Sequence, residues 1–451
     1  MSKQGSYGKV RIHTHSLISQ ISHIDEIVVA LGFKLGILTP VKVSPIVNAH
    51  PSFVYCEKML GKVSRSFAMV IQQLPLHLRK SVCVFYLVLR GLDTVEDDMD
   101  TFKGKNTEKI NILRTFHTFL TQPDWKLEKI GEGDERILLE NFFHVNTILL
   151  SLTPKDSAII IDICRRMGAG MADFSVRDMS KGTNTLEEYN LYCHHVAGLV
   201  GEGLTQLFVV HGDESAQITE NPKLADDMGL FLQKTNIIRD YLEDLADGRS
   251  FWPREIWSLY SKNLHGLTTQ NDKSLECLNH MIADALSLAP SCILYLQTIR
   301  DPDIFKFCAI PQVMAIATLS HIVNNPDVFT GVVKIRKGEA LLLMSKVNKL
   351  EDVHSIFSAY THNIMNSIPR RHRAASTLAD KAAKEIEGLC GRVDTGQSSY
   401  TIDINILCVA IMFAFILLYL SGFCSSTVAL NAILCILYFW FQDINLTNQR
   451  L

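Results

Sequence analysis

The sequence predicts an all-α protein, and three observations lead to this class. Apolar residues recur three and four positions apart through most of residues 52–395. Several of these segments open with helix N-terminal signals. The alternation typical of strands is almost absent, and "GVVKIRKGEA" at 331–340 is the main exception. We therefore expect one large helical domain.

Three long segments carry clear helix starts. "LTPKDSAIIIDICRRMGAGMADF" begins with Thr153 as N-cap and proline at the first helical position. "TLEEYNLYCHHVAGLVGEGLTQLFVV" begins with a capping box between Thr185 and Glu188. "NPKLADDMGLFLQKTNIIRDYLEDLA" pairs Asn221 as a cap with a following proline. Each segment is long enough to cross a globular domain.

Composition excludes one class of partner and indicates a compartment. The 451 residues are 47% hydrophobic, and 44 Lys and Arg nearly balance 47 Asp and Glu. This balance gives no basic surface for nucleic acid. The 11 cysteines show no C-x-x-C spacing, which favours free thiols in a reducing compartment.

The C-terminal region predicts a membrane anchor. Residues 402–423 run almost without charge for long enough to cross a bilayer, and 426–441 form a shorter apolar run. Basic residues precede the first run, which places the large domain in the cytosol. We divide the chain into an N-terminal segment of uncertain role, a catalytic domain, a linker, an anchor of one span or a hairpin, and a tail: 1–50, 51–395, 396–401, 402–442 and 443–451.

Two acidic clusters share one spacing. In "DTVED" (93–97), Asp93, Glu96 and Asp97 stand at i, i+3 and i+4, so a helix presents them on one face. "DYLED" (240–244) repeats the pattern with its own three acids, Asp240, Glu243 and Asp244. A single copy is more often a solvated acidic helix end. The duplicate within apolar helices favours two carboxylate clusters that hold Mg²⁺ and, through it, a diphosphate.

Cationic and amide side chains accompany the acids. Each arginine taken alone is more often an ion-pair partner, but guanidinium groups also match phosphate oxygens. Together with two amides on the helix of the second cluster, they outline a site for an anionic ligand: Arg65, Arg90, Arg239, Arg249, Gln233 and Asn236.

The chain resembles the squalene synthases. Six blocks carry the likeness in order, over roughly residues 50–350: "SRSFAMVIQQLP", "VFYLVLRGLDTVEDDM", "YCHHVAGLVGEGLTQLF", "KTNIIRDYLEDLADGRSFWPREIW", "FCAIPQVMAIATL" and "GVVKIRKGEA". The resemblance implies an isoprenoid-synthase helical bundle with a central cavity. It also implies condensation of two farnesyl diphosphates to presqualene diphosphate, followed by NADPH-dependent reduction to squalene.

The resemblance also implies roles for individual residues. The six acids match metal ligands, and Ser64 joins the four arginines in contacting diphosphate. Tyr192 matches a tyrosine of the first half-reaction and Tyr86 another tyrosine of the site. The position of Tyr192 in the sequence alone fits plain core packing equally well, and the resemblance favours the catalytic role. Aromatic faces stabilise a carbocation without attacking it. The remaining pocket positions are Phe67, Val196, Val200, Leu204, Phe307, Cys308 and Pro311. The small residues of "GAGMA" and "AGLVGEG" leave either room for a prenyl chain or close helix contacts.

Two features depart from or weaken the resemblance. His195 stands where the family usually has an aromatic residue, mostly tyrosine. "VVKIRKG" resembles a segment proposed to contact NADPH through Lys334, Arg336 and Lys337, but an exposed basic loop is an equal interpretation. No G-x-G-x-x-G follows a strand, so the cofactor is not bound in the Rossmann manner.

We therefore expect a monomeric squalene-forming enzyme anchored in the endoplasmic reticulum membrane, with its catalytic domain in the cytosol. It uses Mg²⁺, NADPH and two farnesyl diphosphates, and it does not bind nucleic acid. Two alternatives remain open: a phytoene-synthase-like transferase that stops before reduction, and a non-catalytic membrane scaffold.

Overall fold

The computed structural model describes residues 10–13, 23–34 and 49–391. Most of these residues are helical and only two short strands interrupt them, which confirms the predicted all-α class. In chain order the elements are β1 (Ile12–His13), α1 (Ile24–Lys34), α2 (Pro51–Val63), α3 (Arg65–Ile71), α4 (Leu76–Asp97), α5 (Asn106–Phe119), α6 (Gly133–Glu140), α7 (Phe143–Leu149), α8 (Pro154–Ser175), α9 (Leu186–Cys193), a π-helix (His194–Gly198), α10 (Leu199–Val210), α11 (Pro222–Arg239), α12 (Tyr241–Ala246), α13 (Arg254–Trp257), α14 (Asp272–Leu286), α15 (Ala289–Thr298), α16 (Pro302–Ile322), β2 (Val332–Val333), α17 (Lys337–Lys346), α18 (Leu350–Ser367) and α19 (Arg373–Cys390).

The helix start signals operate in two of the three predicted cases. The Thr153 hydroxyl accepts from the amide of Asp156 at 3.2 Å, and the Thr185 hydroxyl accepts from the amide of Glu188 at 3.2 Å. The Glu188 carboxylate accepts from the backbone of Asn184 instead of closing the box on Thr185. Asn221 occupies the predicted N-cap position before proline, but its side chain makes no capping bond.

The chain divides into two compact units. Among the described residues, the larger unit comprises 10–13, 49–335 and 347–391. Its central helix is α11, which packs against the π-helix, α10, α14, α15 and α16. Helix α11 is buried on several sides through Phe231, Ile237 and Ile238. The second acidic cluster therefore directly follows a well-anchored helix.

The first acidic cluster is carried by α4, in the same unit. Helix α4 packs against α8, and α8 also contacts α5 and α10. Apolar residues of α4 such as Val84, Val88 and Leu92 are fully buried, which sets the rotation of the helix and hence the direction of its acids.

A π-helical segment interrupts the predicted long helix between α9 and α10. A π-turn inserts an extra residue and widens the turn, a feature often found at functional sites. Glycines let this segment approach α11: a Cβ on Gly229 would lie 2.2 Å from the carbonyl oxygen of Ala197. The small residues of "AGLVGEG" therefore serve close helix packing at this position.

The smaller unit contains α1 and α17, which pack against each other. The guanidinium of Arg336 joins them, since it donates to Glu26 at 2.7 and 2.9 Å and lies 3.1 Å from Glu339. Both carboxylates are buried. Within α1, Val28 and Val29 are buried.

Among the described residues, two stretches are long and apolar enough to cross a membrane, Asp272–Thr298 and Pro302–Ile322. Their apolar windows are 72% buried within the protein, as expected of core helices. The predicted anchor at 402–442 lies outside the described residues.

Candidate active site

The first acidic cluster forms the last turn of α4. One carboxylate oxygen from each of Asp93, Glu96 and Asp97 falls within 4.8 Å of the others. Within the described part of the chain, these three acids form the one cluster of possible metal ligands that meets this distance. The i, i+3, i+4 spacing produces this geometry as the sequence predicts.

Two of these three carboxylates hold protons unusually well. Burial, with added repulsion from Asp97, raises the pKa of Asp93 to about 7. Burial likewise raises the pKa of Glu96 to about 7, although Arg249 opposes it. Desolvation also acts to raise the pKa of Asp97, but Arg249 outweighs it and the net pKa is lowered. Such a group favours a counter-cation when it is fully ionised.

The second cluster sits at a bend in the chain. Helix α11 ends at Arg239, Asp240 adopts φ −93° and ψ 14°, and α12 begins at Tyr241. Hydrogen bonds continue through the bend, since the Asp240 amide donates to Asn236 and the Asp244 amide donates to Asp240. The prediction of a single unbroken helix is therefore wrong at Asp240. Burial raises the pKa of Asp244 well above its usual range.

Arg249 joins the two clusters. Its guanidinium donates to Asp97 at 2.6 Å and lies 3.6 Å from Glu96 and 3.8 Å from Asp244. Asp97 ends α4, and Asp244 lies in α12. The two acidic patterns thus converge on one arginine from distant parts of the sequence.

Further cations flank each cluster. Arg90, one turn before the first cluster, donates to Asp93 at 2.8 Å and to the hydroxyl of Tyr86 at 3.1 Å. Arg239 donates to Asp240 through two nitrogens at 2.8 and 2.6 Å. The ring of Phe67 lies 5.7 Å from that of Tyr86. Positive and negative groups therefore alternate along the site.

Two members of the predicted diphosphate set lie at the start of α3. Ser64 caps this helix by accepting from the amide of Phe67. The side chain of Arg65 lies outside the described part of the structure.

Tyr192 lies in an aromatic cluster beside the acids. Its ring stacks on Phe251 at 4.3 Å and meets the edge of Phe174 at 5.1 Å. Burial, reinforced by the nearby charges of Glu96 and Asp97, raises its pKa well above the usual range. The phenol is consequently neutral and buried next to the first cluster. His195 extends this cluster, with its ring 6.4 Å from that of Phe174.

Apolar residues predicted to line the pocket fall on two helical stretches. Val196 belongs to the π-helix, and Val200 and Leu204 belong to α10. On α16, Phe307 and Cys308 are buried, and the ring of Phe307 lies 6.1 Å from that of Phe208. Pro311 lies inside α16 and lacks an amide hydrogen, so the helix cannot form its bond to the Phe307 carbonyl.

The basic segment divides between the two units. Lys334, in the larger unit, follows β2, which pairs in parallel with β1. Burial lowers the pKa of Lys334, with Arg239 adding to the effect and Asp240 opposing it. Arg336 and Lys337 belong to the smaller unit, where Arg336 is held by Glu26 and Glu339.

Sequence reasoning missed several neighbours of the site. Phe251 stands two residues after Arg249 in "GRSFWP", and Phe174 ends the "GAGMADF" segment. Both residues therefore lie in segments that the sequence already marks as part of the site or of a helix. Glu135, whose carboxylate lies 3.7 Å from Arg90, carried no local signal. Lys109 is buried near Glu96 and also lacked one.

The helical bundle brings two oxygen-rich clusters and several arginines together. This arrangement suits an enzyme that binds diphosphate esters through divalent cations. Comparison with known proteins gives the family. The squalene/phytoene synthase family model matches residues 60–339, and the chain belongs to this family.

Similar proteins share most of the chain. Squalene synthase of Homo sapiens is 48% identical over 316 residues, which cover 70% of this chain and 74% of that protein. Squalene synthase 1 of Arabidopsis thaliana is 40% identical over 418 residues, or 90% of this chain and 99% of that protein. The solved complex of TcSQS with the ligand BPH1237 matches with a TM-score of 0.71 at 41% identity, covering 75% of this chain and 99% of that chain.

Proposed function

We propose that this enzyme condenses two farnesyl diphosphates head to head into presqualene diphosphate and then reduces that product to squalene with NADPH. Relatives at 40–48% identity over most of the chain are squalene synthases. The structural observation that carries the proposal is the convergence of both acidic patterns on Arg249.

The six acids fit Mg²⁺. They offer only oxygen ligands, and burial, reinforced by repulsion between neighbouring acids, raises the pKa values of Asp93 and Glu96 to about 7. Asp93, Glu96 and Asp97 would hold the ion on one side, and Asp240, Glu243 and Asp244 on the other. When bound, Mg²⁺ neutralises a diphosphate and makes it a better leaving group.

The protein's own cations complete the diphosphate site. Arg90, Arg239 and Arg249 now pair with acids of the two clusters. When the acids turn to a metal ion, these guanidinium groups become available to phosphate oxygens. Ser64 and Arg65 at the start of α3, with Gln233 and Asn236 on α11, complete the proposed set.

The aromatic residues are proposed to shelter a carbocation. Loss of diphosphate from an allylic carbon leaves a cation that water would capture, so the site must exclude water and supply no nucleophile. Tyr192, Phe67, Tyr86 and Phe307 present aromatic rings of this kind. The buried phenol of Tyr192 is neutral, which suits a role in stabilising the cation and in relaying the proton lost on ring closure. Val196, Val200, Leu204, Cys308 and Pro311 would contact the prenyl chains.

For the reductive step, Lys334 is proposed to contact NADPH. The charges of Arg239 and Asp240 both act on the pKa of this amine, which lies in the larger unit that holds both clusters. NADPH would supply a hydride to the second cation. Arg336 fits this role poorly, because its guanidinium is occupied by two buried carboxylates. Lys337, an exposed residue at the start of α17, remains a proposed contact.

Product analysis tests the function and separates it from its alternative. The purified protein is incubated with farnesyl diphosphate and Mg²⁺, with and without NADPH. We expect squalene only with NADPH and presqualene diphosphate without it. If the same product forms with and without NADPH, a phytoene-synthase-like reaction is favoured. If no product forms, a non-catalytic scaffold is favoured.

The anchor at 402–442 is proposed to hold the enzyme at the endoplasmic reticulum membrane with its catalytic domain in the cytosol. One span would place a C-terminal tag in the lumen, whereas a hairpin would return it to the cytosol. Protease protection of that tag in microsomes distinguishes the two. Cleavage of the catalytic domain by added protease is expected in both cases, and its protection would contradict the proposed orientation.

A further inference from the structure

The segment "DTVEDD" contains a fourth acid whose position the metal site does not explain. Asp98 follows the last helical residue of α4 and has an extended backbone, with ψ 100°. Its carboxylate accepts from the amide of Thr101 at 2.7 Å and from the amide of Gly131 at 2.8 Å. Both oxygens therefore bind the backbone and are not offered to the cluster formed by its neighbours.

The contact with Gly131 brings a distant loop against the helix that carries the metal ligands. Gly131 has φ +77°, and a Cβ there would lie 2.4 Å from the side-chain methyl of Thr94. Thr94 stands between Asp93 and Glu96 on α4. Only glycine accommodates both this backbone conformation and this close approach.

Other contacts secure the same junction. The Thr101 hydroxyl donates to the carbonyl of Lys129 at 3.3 Å, and the Arg136 side chain donates to the carbonyl of Gly131 at 2.7 Å. The buried amine of Lys109 lies 3.4 Å from the carbonyl of Asp98, at the negative end of α4. Asp98 and Thr101 thus fasten the loop to the end of α4, while Arg136 and Lys109 support the two partners.

A helix end is normally its least constrained part, because its last carbonyls lack partners within the helix. Three proposed metal ligands lie in that last turn, where fraying would separate their oxygens. We propose that Asp98 is a positioning residue: it fastens the loop at Lys129–Gly131 to the end of α4 and so holds the first carboxylate cluster in its metal-binding geometry.

This inference rests on the proposed metal site, and Asp100 offers a matched control. Asp98→Asn removes one charge and leaves a side chain with a single acceptor for two amides. Asp100→Asn removes the same charge two residues away, at an exposed side chain. A simple electrostatic contribution to metal binding would weaken both variants similarly.

Calorimetric titration of the full-length protein with Mg²⁺ alone, combined with turnover, tests the proposal. We expect the dissociation constant for Mg²⁺ to rise roughly tenfold in Asp98→Asn, the effect typical of removing a residue that orients metal ligands. Asp100→Asn is expected to stay within about twofold, since exposed charges are well screened. At saturating Mg²⁺ the kcat of Asp98→Asn should recover to near that of the wild type.

A second variant approaches the junction from the loop. Gly131→Ala introduces a methyl group against Thr94 and should weaken Mg²⁺ binding in the same way. Adding Thr94→Ser removes the opposing methyl group and keeps the hydroxyl that donates to Arg90. Partial recovery in the double variant is expected, and it keeps the test valid if Asp98→Asn folds poorly.

The possible failures are distinguishable. Equal Mg²⁺ affinity in Asp98→Asn and Asp100→Asn, with wild-type binding intact, would overturn the positioning role alone. Turnover of Asp98→Asn that no Mg²⁺ concentration restores would instead make Asp98 a ligand and also overturn it. No Mg²⁺ binding by the wild type would refute the proposed metal site itself.

Discussion

Single side chains near the first cluster are tuned by their surroundings. Tyr192 is buried between Phe251 and Phe174, and nearby acids make its ionisation still less favourable. Its hydroxyl is the one polar atom that the ring brings to this aromatic cluster. The hydroxyl of Tyr192 would therefore carry out its proposed chemistry, whereas the ring provides its packing contacts.

Tyr192→Phe separates these contributions. The ring keeps its stacking, so we expect the midpoint of thermal unfolding to change little. Loss of the hydroxyl should lower the rate of presqualene diphosphate formation by about 10²-fold or more, the lower range for a group that transfers protons. Single-turnover assays with farnesyl diphosphate measure this rate. A rate equal to that of the wild type would assign Tyr192 to packing alone.

The raised pKa values of Asp93 and Glu96 predict a pH-dependent metal affinity. Burial raises the pKa of both groups to about 7 in the folded protein, from the values of 3.8 and 4.5 that apply in the unfolded chain. The folded state therefore binds more protons, and its metal-free stability falls as pH rises through that interval. The proposed Mg²⁺ would compete with these protons, so we expect it to bind better at higher pH.

We accordingly expect Mg²⁺ to raise the unfolding temperature more at pH 8 than at pH 6. Differential scanning calorimetry at both pH values, with and without Mg²⁺, measures the difference. Asp93→Asn should reduce the pH dependence, while Asp100→Asn should leave it in place. An identical Mg²⁺ effect at pH 6 and pH 8 would contradict the proton competition.

At the scale of elements, helix ends and helix crossings determine where the acids meet. The first cluster ends α4, and the second begins where α11 bends into α12. Arg249 spans the gap between them. The position of α11 depends in turn on its close crossing with the π-helix, where Gly229 meets Ala197.

Coupling between Arg249 and Asp97 tests the link across elements. In metal-free protein, a double-mutant cycle of Arg249→Gln and Asp97→Asn should give a coupling free energy of about 0.5–1 kcal/mol, limited because Asp97 is partly exposed. Urea denaturation provides the free energies of unfolding. The same cycle with Asp100→Asn should be additive, and additivity for Asp97 would argue against the contact.

Adding a methyl group at Gly229 tests the close crossing between α11 and the π-helix. Gly229→Ala places a Cβ 2.2 Å from the Ala197 carbonyl oxygen and is expected to destabilise the fold by about 1–3 kcal/mol. Gly61→Ala is the control, because a Cβ there meets nothing within 4 Å and Gly61 lies inside α2. Alanine at that position is expected to stabilise by about 0.5–1 kcal/mol. Equal stability of the two variants in urea would refute the tight crossing.

Over the whole molecule, the sequence predicts what is local and repeated. Helix periodicity predicts the all-α class, and the spacing of Asp93, Glu96 and Asp97 predicts their shared face. Contacts between distant residues carry no such periodicity. Arg249 meets Asp97 across 152 positions, and Arg336 meets Glu26 across 310.

The remaining differences between the predicted and the observed structure have local physical causes. The pattern of apolar residues in the sequence does not reveal them. The π-turn after Cys193 changes the helix pitch without changing its amphipathic sequence. The bend at Asp240 keeps helical hydrogen bonds and so leaves the spacing of "DYLED" intact. Asp98 belongs to the acidic run by sequence, but the end of α4 turns its carboxylate toward Gly131.

Binding of inorganic pyrophosphate measures most directly whether the two clusters act as one site. Calorimetry is done on the wild type, Asp93→Asn and Asp240→Asn, each with and without Mg²⁺. We expect pyrophosphate to bind tightly only with Mg²⁺, and we expect either substitution to remove most of this gain in affinity. Full Mg²⁺-dependent binding in either variant, or tight wild-type binding without Mg²⁺, would contradict this expectation.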